Sequence, residues 1–153
     1  MKHTISTDTT IDYRLIRYAL LKGNAEILID GDSMYPLLPR GRRVRMVDAT
    51  DKGYQVGDII FFKCRNVLMV HRIIGFSYDE KNTRYFIAKG DNVNSVDGSF
   101  YEGQILGLID GRNRFKRIKA GISRLDAFLG HNGTMYKILK IYRVKHFVMS
   151  VLR

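Results

Sequence analysis

Asp58-Ile59-Ile60-Phe61-Phe62-Lys63, followed after Arg65-Asn66 by Val67-Leu68-Met69-Val70-His71-Arg72-Ile73-Ile74, decides the fold. Two apolar runs of strand length around a short polar break read as a β-hairpin. At least one run is apolar on both faces, which places it inside the molecule. A single histidine, His71, stands in the second run. Strand alternation gives it the same face as Met69 and Ile73. A histidine there is ordinarily a core residue with a satisfied ring. Beside a presented hydroxyl it becomes a general base.

Upstream of the hairpin, residues 43–47 alternate Val44 against Arg43 and Arg45 and read as a strand, joined to the hairpin by a polar connection over 48–57. Residues 25–30 form a further apolar strand. Before it, Ile11, Leu15, Ile16, Ala19 and Leu20 fall at helical spacing, with Asp12 in the first turn and Lys22-Gly23 at the end. This is one short helix, too little for a helix-turn-helix reader of DNA. The first ten residues are polar and Thr-rich.

Downstream, Asp79-Glu80-Lys81-Asn82 is a turn and 84–88 a strand. Residues 90–100 are an irregular Gly/Asp/Asn/Ser loop, 104–109 a strand, Gly111-Arg112-Asn113 a turn and 114–118 a last strand. Short strands at regular spacing predict a mainly β fold, a compact sandwich or a partly open barrel, with short helices at both ends. From Ile122 the pattern is helical. In 135–153, Met135, Ile138, Leu139 and Tyr142 share one face, while Val144, Phe147, Val148 and Val151 fall roughly opposite. Lys137, Lys140, Arg143 and Lys145 interleave with them. Two readings fit: a basic segment lying on a membrane surface, or a helix packed on the sheet. The expected organisation is a single domain over 1–153, with a core at about 26–119 and a basic helical segment over 122–153.

The chain has 153 residues, 45% of them hydrophobic, enough for one ordinary core. The lone Cys64 excludes an intrachain disulfide framework and fits a reducing compartment. No apolar run has transmembrane length, and Met1-Lys2-His3-Thr4-Ile5-Ser6 lacks the apolar core of a secretion signal. The expectation is a cytoplasmic protein, able to sit at the inner face of the plasma membrane. The net charge of +11, from 26 basic and 15 acidic residues, suits an anionic surface.

The chemistry gathers around Gly31-Asp32-Ser33-Met34-Tyr35-Pro36. Ser33 follows an apolar strand, with Gly31 free to turn before it and Pro36 constraining Tyr35 after it. Those are ordinary turn residues, and they are also what presents a nucleophilic hydroxyl at a strand end.

This stretch, Val56-Gly57-Asp58-Ile59-Ile60-Phe61-Phe62, then Val70-His71-Arg72-Ile73-Ile74-Gly75, then Ala88-Lys89-Gly90-Asp91-Asn92 followed by Asp97, resemble in order the boxes of the type I signal peptidases. That family shares a β catalytic core with the self-cleaving repressors of the LexA type. The resemblance covers about 26–110. His71 followed by Arg72 is similar to the endoplasmic-reticulum and archaeal form, where most bacterial members carry a lysine. It implies Ser33 as nucleophile, His71 as general base and Asp97 as the acid that orients the base. Asp32, Met34 and Pro36 would shape the substrate and oxyanion side, with the Ser33 backbone N–H as donor. Gly90, Asp91 and Asn92 would brace the loop. No cofactor and no metal are implied.

The resemblance also implies a peptide or protein precursor as substrate, cut to release a leader or signal segment. Peripheral contact with an anionic membrane is compatible with it, and nucleic acid is not an expected partner. Gly31 stands where many members have a serine, and the chain lacks the family's usual N-terminal transmembrane helix and large second domain. The alternative is a binding module of the same fold that presents its basic stretches, 40–45 and 112–119, to nucleic acid or anionic lipid. Gly-Asp-Ser also opens the GDSL-type esterases. Those need an α/β fold and a late Asp-x-x-His, whereas Asp126 and His131 stand five apart and the strands do not alternate with helices.

Overall fold

The computed structural model describes residues 4–5, 13–23, 25–48, 53–64, 67–110 and 116–129. In chain order the elements are β1 (Thr4–Ile5), α1 (Tyr13–Leu21), β2 (Glu26–Leu28), β3 (Arg43–Val47), β4 (Ile59–Cys64), β5 (Val67–Tyr78), β6 (Arg84–Lys89), β7 (Phe100–Tyr101), a single 3-10 turn (Glu102–Gln104), β8 (Ile105–Ile109) and α2 (Lys116–Leu129). The protein is mainly β. The eight strands join in one continuous sheet, ordered β1-β2-β3-β8-β4-β5-β6-β7. Only the β1–β2 pair is parallel.

The hairpin that decides the fold is the middle of this sheet. β4 is buried on both faces because its side chains alternate between two apolar clusters. Ile59 and Phe61 join Ile16, Ile27, Ile29, Met34, Leu38, Val44 and Met46. Ile60, Phe62 and Cys64 join Tyr54, Ile73, Phe86, Ala88, Phe100 and Ile105. In the second cluster Phe62 stacks on Phe100 with ring centroids 4.3 Å apart, and Phe100 in turn lies 6.1 Å from Phe86. α1 covers the first cluster through Ile16, with Ala19 and Leu20 half-buried beside it.

Register places the functional residues. His71 pairs with Ile60 of β4, and Arg72 pairs with both Ile59 and Lys89 of β6. Between Ile73↔Ala88 and Gly75↔Ile87 the β5–β6 ladder carries one extra residue, Ile74. A bulge takes such a residue out of the ladder. Its carbonyl accepts hydrogen bonds from Nε and Nη2 of Arg124 on α2 instead. α2 therefore docks on the back of β5, with Ala120 and Ser123 buried. Ile118, Leu125 and Phe128 are exposed on α2.

Two expectations change. Residues 116–118, read as the end of a strand, are the first turn of α2. Alternation over five residues cannot separate a strand from a helix start, and the spacing of Ile118, Ile122 and Leu125 continues the helix. Gln104, read as the first residue of a strand, closes the 3-10 turn. The segment 135–153 lies outside the described residues. Among the described residues no helix is long and apolar enough to cross a membrane.

Phe62 joins both strands of the hairpin to the aromatic stack. Phe62→Ala is expected to lower the unfolding free energy by about 3–5 kcal/mol. Urea denaturation should show this as a lower midpoint at an unchanged slope.

Candidate active site

Ser33 sits in the connection after β2. That connection folds back on itself: the Tyr35 N–H donates to the Asp32 carbonyl at 3.0 Å, and the Leu38 N–H to the Met34 carbonyl at 2.9 Å. The Tyr35–Pro36 bond is cis. Gly31, read as the residue that permits the turn, does not have a left-handed φ, and a Cβ there would meet open space. The turn is closed by the backbone hydrogen bonds and by the loop after β6, not by glycine freedom.

That loop is the second half of the site. The Asn92 N–H donates to the Ser33 carbonyl at 2.7 Å, and Asn92 Nδ2 to the Asp32 carbonyl at 3.0 Å. The Asp91 N–H points at Met34 Sδ at 3.4 Å. Gly90 packs directly against the site. A Cβ on it would stand 2.7 Å from the Ser33 carbonyl oxygen and 3.0 Å from both His71 Nε2 and Ser33 Cβ. Any side chain there would force the site open, so this position requires glycine for space.

β5 supplies the base. His71 Nε2 lies 2.9 Å from Ser33 Oγ, and His71 Nδ1 lies 2.6 Å from Asp97 Oδ2. An ionised carboxylate only accepts, so Nδ1 carries the hydrogen and Nε2 is left to accept from the serine. His71 as a whole is 7% exposed. The Asp97 N–H is itself held by the Ala88 carbonyl at 2.9 Å. The three residues singled out for chemistry, 26 and 38 positions apart along the chain from His71, thus form one hydrogen-bonded line.

Arg72, the next residue on β5, was not singled out from the sequence. It is fully buried, as is Asp91. Arg72 Nε and Nη2 donate to the two carboxylate oxygens of Asp91 at 2.8 and 2.6 Å. Its Nη1 donates to the Gly57 carbonyl at 2.9 Å. Gly57 has φ +98, the left-handed region that favours glycine. The box Val56-Gly57-Asp58, the box around His71 and the box around Asp91 meet at one guanidinium. On α2, burial and the Arg72 guanidinium hold Lys119 below the usual lysine range, with Asp91 opposing.

A cleft of about 360 Å³ opens beside Ser33 and His71. Ile27, Leu28, Ile29, Met34, Phe61, Leu68, Met69 and Val70 line it, with Asp30 and Gly31 at its polar side. Of the residues expected on the substrate side, Met34 lines this cleft, while Asp32 and Pro36 belong to the turn behind it. β6 ends opposite Arg72, so residues 67–71 of β5 have β4 on one side and no β6 partner on the other. Among the described residues, no three His, Cys, Asp or Glu side chains gather as a metal site needs.

Asp91→Ala leaves Arg72 as a buried charge without its carboxylate. Breaking a buried pair from one side costs about 3–5 kcal/mol. Chemical denaturation should show a loss of that size, against little change for exposed Asp32→Ala.

Comparison with known proteins gives distant relatives. The chain is 25% identical over 129 residues to the signal peptidase complex catalytic subunit SEC11C of Homo sapiens, an alignment covering 82% of this chain and 63% of that protein. The same values hold for the Canis lupus familiaris and Mus musculus proteins of that name. The chain thus spans under two thirds of the length of these curated relatives. No family model matches it, and no solved structure matches it. The distant similarity to signal peptidase catalytic subunits supports a place for this chain in the signal peptidase superfamily.

Proposed function

We propose that the protein is a serine endopeptidase of the signal-peptidase type, with Ser33 as nucleophile, His71 as general base and Asp97 orienting the base. The observation that carries this reading is the line Ser33 Oγ, His71 Nε2, His71 Nδ1, Asp97 Oδ2, with contacts of 2.9 and 2.6 Å. A purely structural site does not need a hydroxyl, an imidazole and a carboxylate in that order at the mouth of a cleft.

Ser33 Oγ attacks the scissile carbonyl carbon while its proton passes to His71 Nε2. The Asp97 carboxylate stabilises the imidazolium and holds the ring in place. His71 then gives the proton to the leaving amine, which departs and leaves an acyl ester on Ser33. Water attacks that ester, its proton passes to Nε2, and Ser33 is restored as the acid product leaves. The Ser33 backbone N–H serves the oxyanion.

Among the described residues no strand pairs with the side of β5 away from β4 over 67–71, which suits an extended peptide that would add to it as a strand. The apolar lining suits an apolar segment next to the cut, as in a leader or signal segment of a precursor. The surplus of cationic charge suits work at an anionic membrane face from the cytoplasmic side.

The test is cleavage of a library of precursor-derived peptides, followed by mass spectrometry. Ser33→Ala and His71→Ala should each abolish cleavage. Because the residues act as a unit, the double variant should be scarcely worse than either single. Asp97→Asn should keep the fold and lower kcat steeply. Gly90→Ala should also lose activity, since its methyl enters the space of Ser33 and His71. Undiminished cleavage by Ser33→Ala would end the serine-peptidase reading, and no cleavage of any peptide by the wild type would favour the binding module.

A further inference from the structure

Behind the site lies a charged group that the reaction above does not use. Lys89, the last residue of β6, is fully buried. Its ammonium donates to the Gly90 carbonyl at 3.1 Å and to the Ser123 hydroxyl of α2 at 3.3 Å. Ser123 is fully buried too. Across the ladder Lys89 stands opposite Arg72, another buried cation. Removing an ammonium from water is costly, and a like charge directly opposite adds to the cost. A methionine would fill similar space with neither penalty. A lysine bonded to a serine has the outline of a nucleophile and its base, yet Ser123 has no exposed surface and does not line the cleft. Substrate does not reach it.

What Lys89 holds is the Gly90 peptide, which packs against Ser33 and His71 with no room for a side chain. The other hydrogen bond to the Gly90 carbonyl, from the Val93 N–H, is long at 3.4 Å. Ser123 carries the restraint on to α2, which Arg124 fixes to the bulge carbonyl of Ile74, three residues beyond His71 on β5. A restraint thus runs from α2 through Lys89 to the two reacting side chains, and α2 reaches the same strand as the base by a second route.

We propose that Lys89 is a positioning residue for the Ser33–His71 pair, acting through Gly90 and anchored by Ser123 on α2. This rests on the serine-peptidase reading. The ammonium keeps Gly90 against the site, so His71 meets Ser33 at bonding distance. α2 is then a working part of the active site and not only a cover for the sheet. Displacement of reacting groups by about 1 Å costs on the order of a hundredfold in rate, and a relaxed Gly90 carbonyl gives slack of a part of that.

The test compares wild type, Lys89→Met, Ser123→Ala and the double variant. The substrate is whichever library peptide wild type cleaves fastest, and proton NMR of the full chain is recorded alongside. Lys89→Met should lower kcat by roughly tenfold or more with KM within about twofold, and without a matching fall in melting temperature, because a buried charge has been removed. Ser123→Ala should lower kcat less, and the double variant should be no worse than Lys89→Met. The downfield proton on His71 Nδ1, held by Asp97 in wild type, should shift or broaden in Lys89→Met even with no substrate present. Wild-type kcat and an unmoved Nδ1 proton in Lys89→Met would overturn the proposal, as would a loss confined to KM. If Lys89→Met does not fold, Ser123→Ala decides: unchanged kcat and an unmoved Nδ1 proton there overturn it. Cleavage that survives Ser33→Ala would instead overturn the peptidase reading itself, a separate result.

Discussion

The buried pair between Arg72 and Asp91 is the constraint on which the rest of the site depends. Both side chains are wholly out of water, joined by two hydrogen bonds of 2.8 and 2.6 Å. Such a pair is weak evidence for stability, since apolar residues of similar volume often do as well. Its value here is geometric. A guanidinium offers its donors in a rigid planar fork, and this one takes both oxygens of Asp91 and the carbonyl of Gly57 at once. It therefore fixes the loop after β6 and the turn before β4 to the strand that carries His71. Gly90 and Asn92, on either side of Asp91, lie in the loop that this pair anchors.

Around that anchor, close packing does what flexible contact would not. Gly90 approaches so near to Ser33 and His71 that a methyl group has no room. Asn92 ties the same loop to the carbonyls of Asp32 and Ser33. The hydroxyl is presented by a turn that another loop holds, which explains why Gly31 itself carries no steric duty. β4 completes the frame. With apolar clusters on both of its faces, it cannot shift register without exposing one of them, and its register with β5 sets where His71 stands.

The outer surface of α2 shows how function and packing divide one helix. Its inner side offers a small residue, a hydroxyl and a guanidinium to the sheet: Ala120, Ser123 and Arg124. Each of the two polar groups meets a specific partner, Lys89 or the bulge carbonyl. Ile122 is half-buried, while three further large apolar residues, Ile118, Leu125 and Phe128, are exposed. Sequence pattern alone assigns such a stripe to the inside, and polar docking reverses it.

By itself the sequence determined the class of the fold and named the candidates for the site. The hairpin of 58–74 is legible because burial on both faces demands apolar residues at every position. Strand β3 came out at its true bounds because Arg43 and Arg45 face water while Val44 and Met46 face the core. Ser33, His71 and Asp97 were candidates as a set through the resemblance of the stretches around them to the signal-peptidase boxes. Only the tertiary structure decided that they touch, because 26 and 38 residues of chain separate them from His71 and no local rule closes such distances. Arg72 and Lys89 were in plain view beside the singled-out residues. Their roles were hidden, since a cation in a sequence looks solvated until the fold removes its water, and burial is a property of the whole chain packed around it.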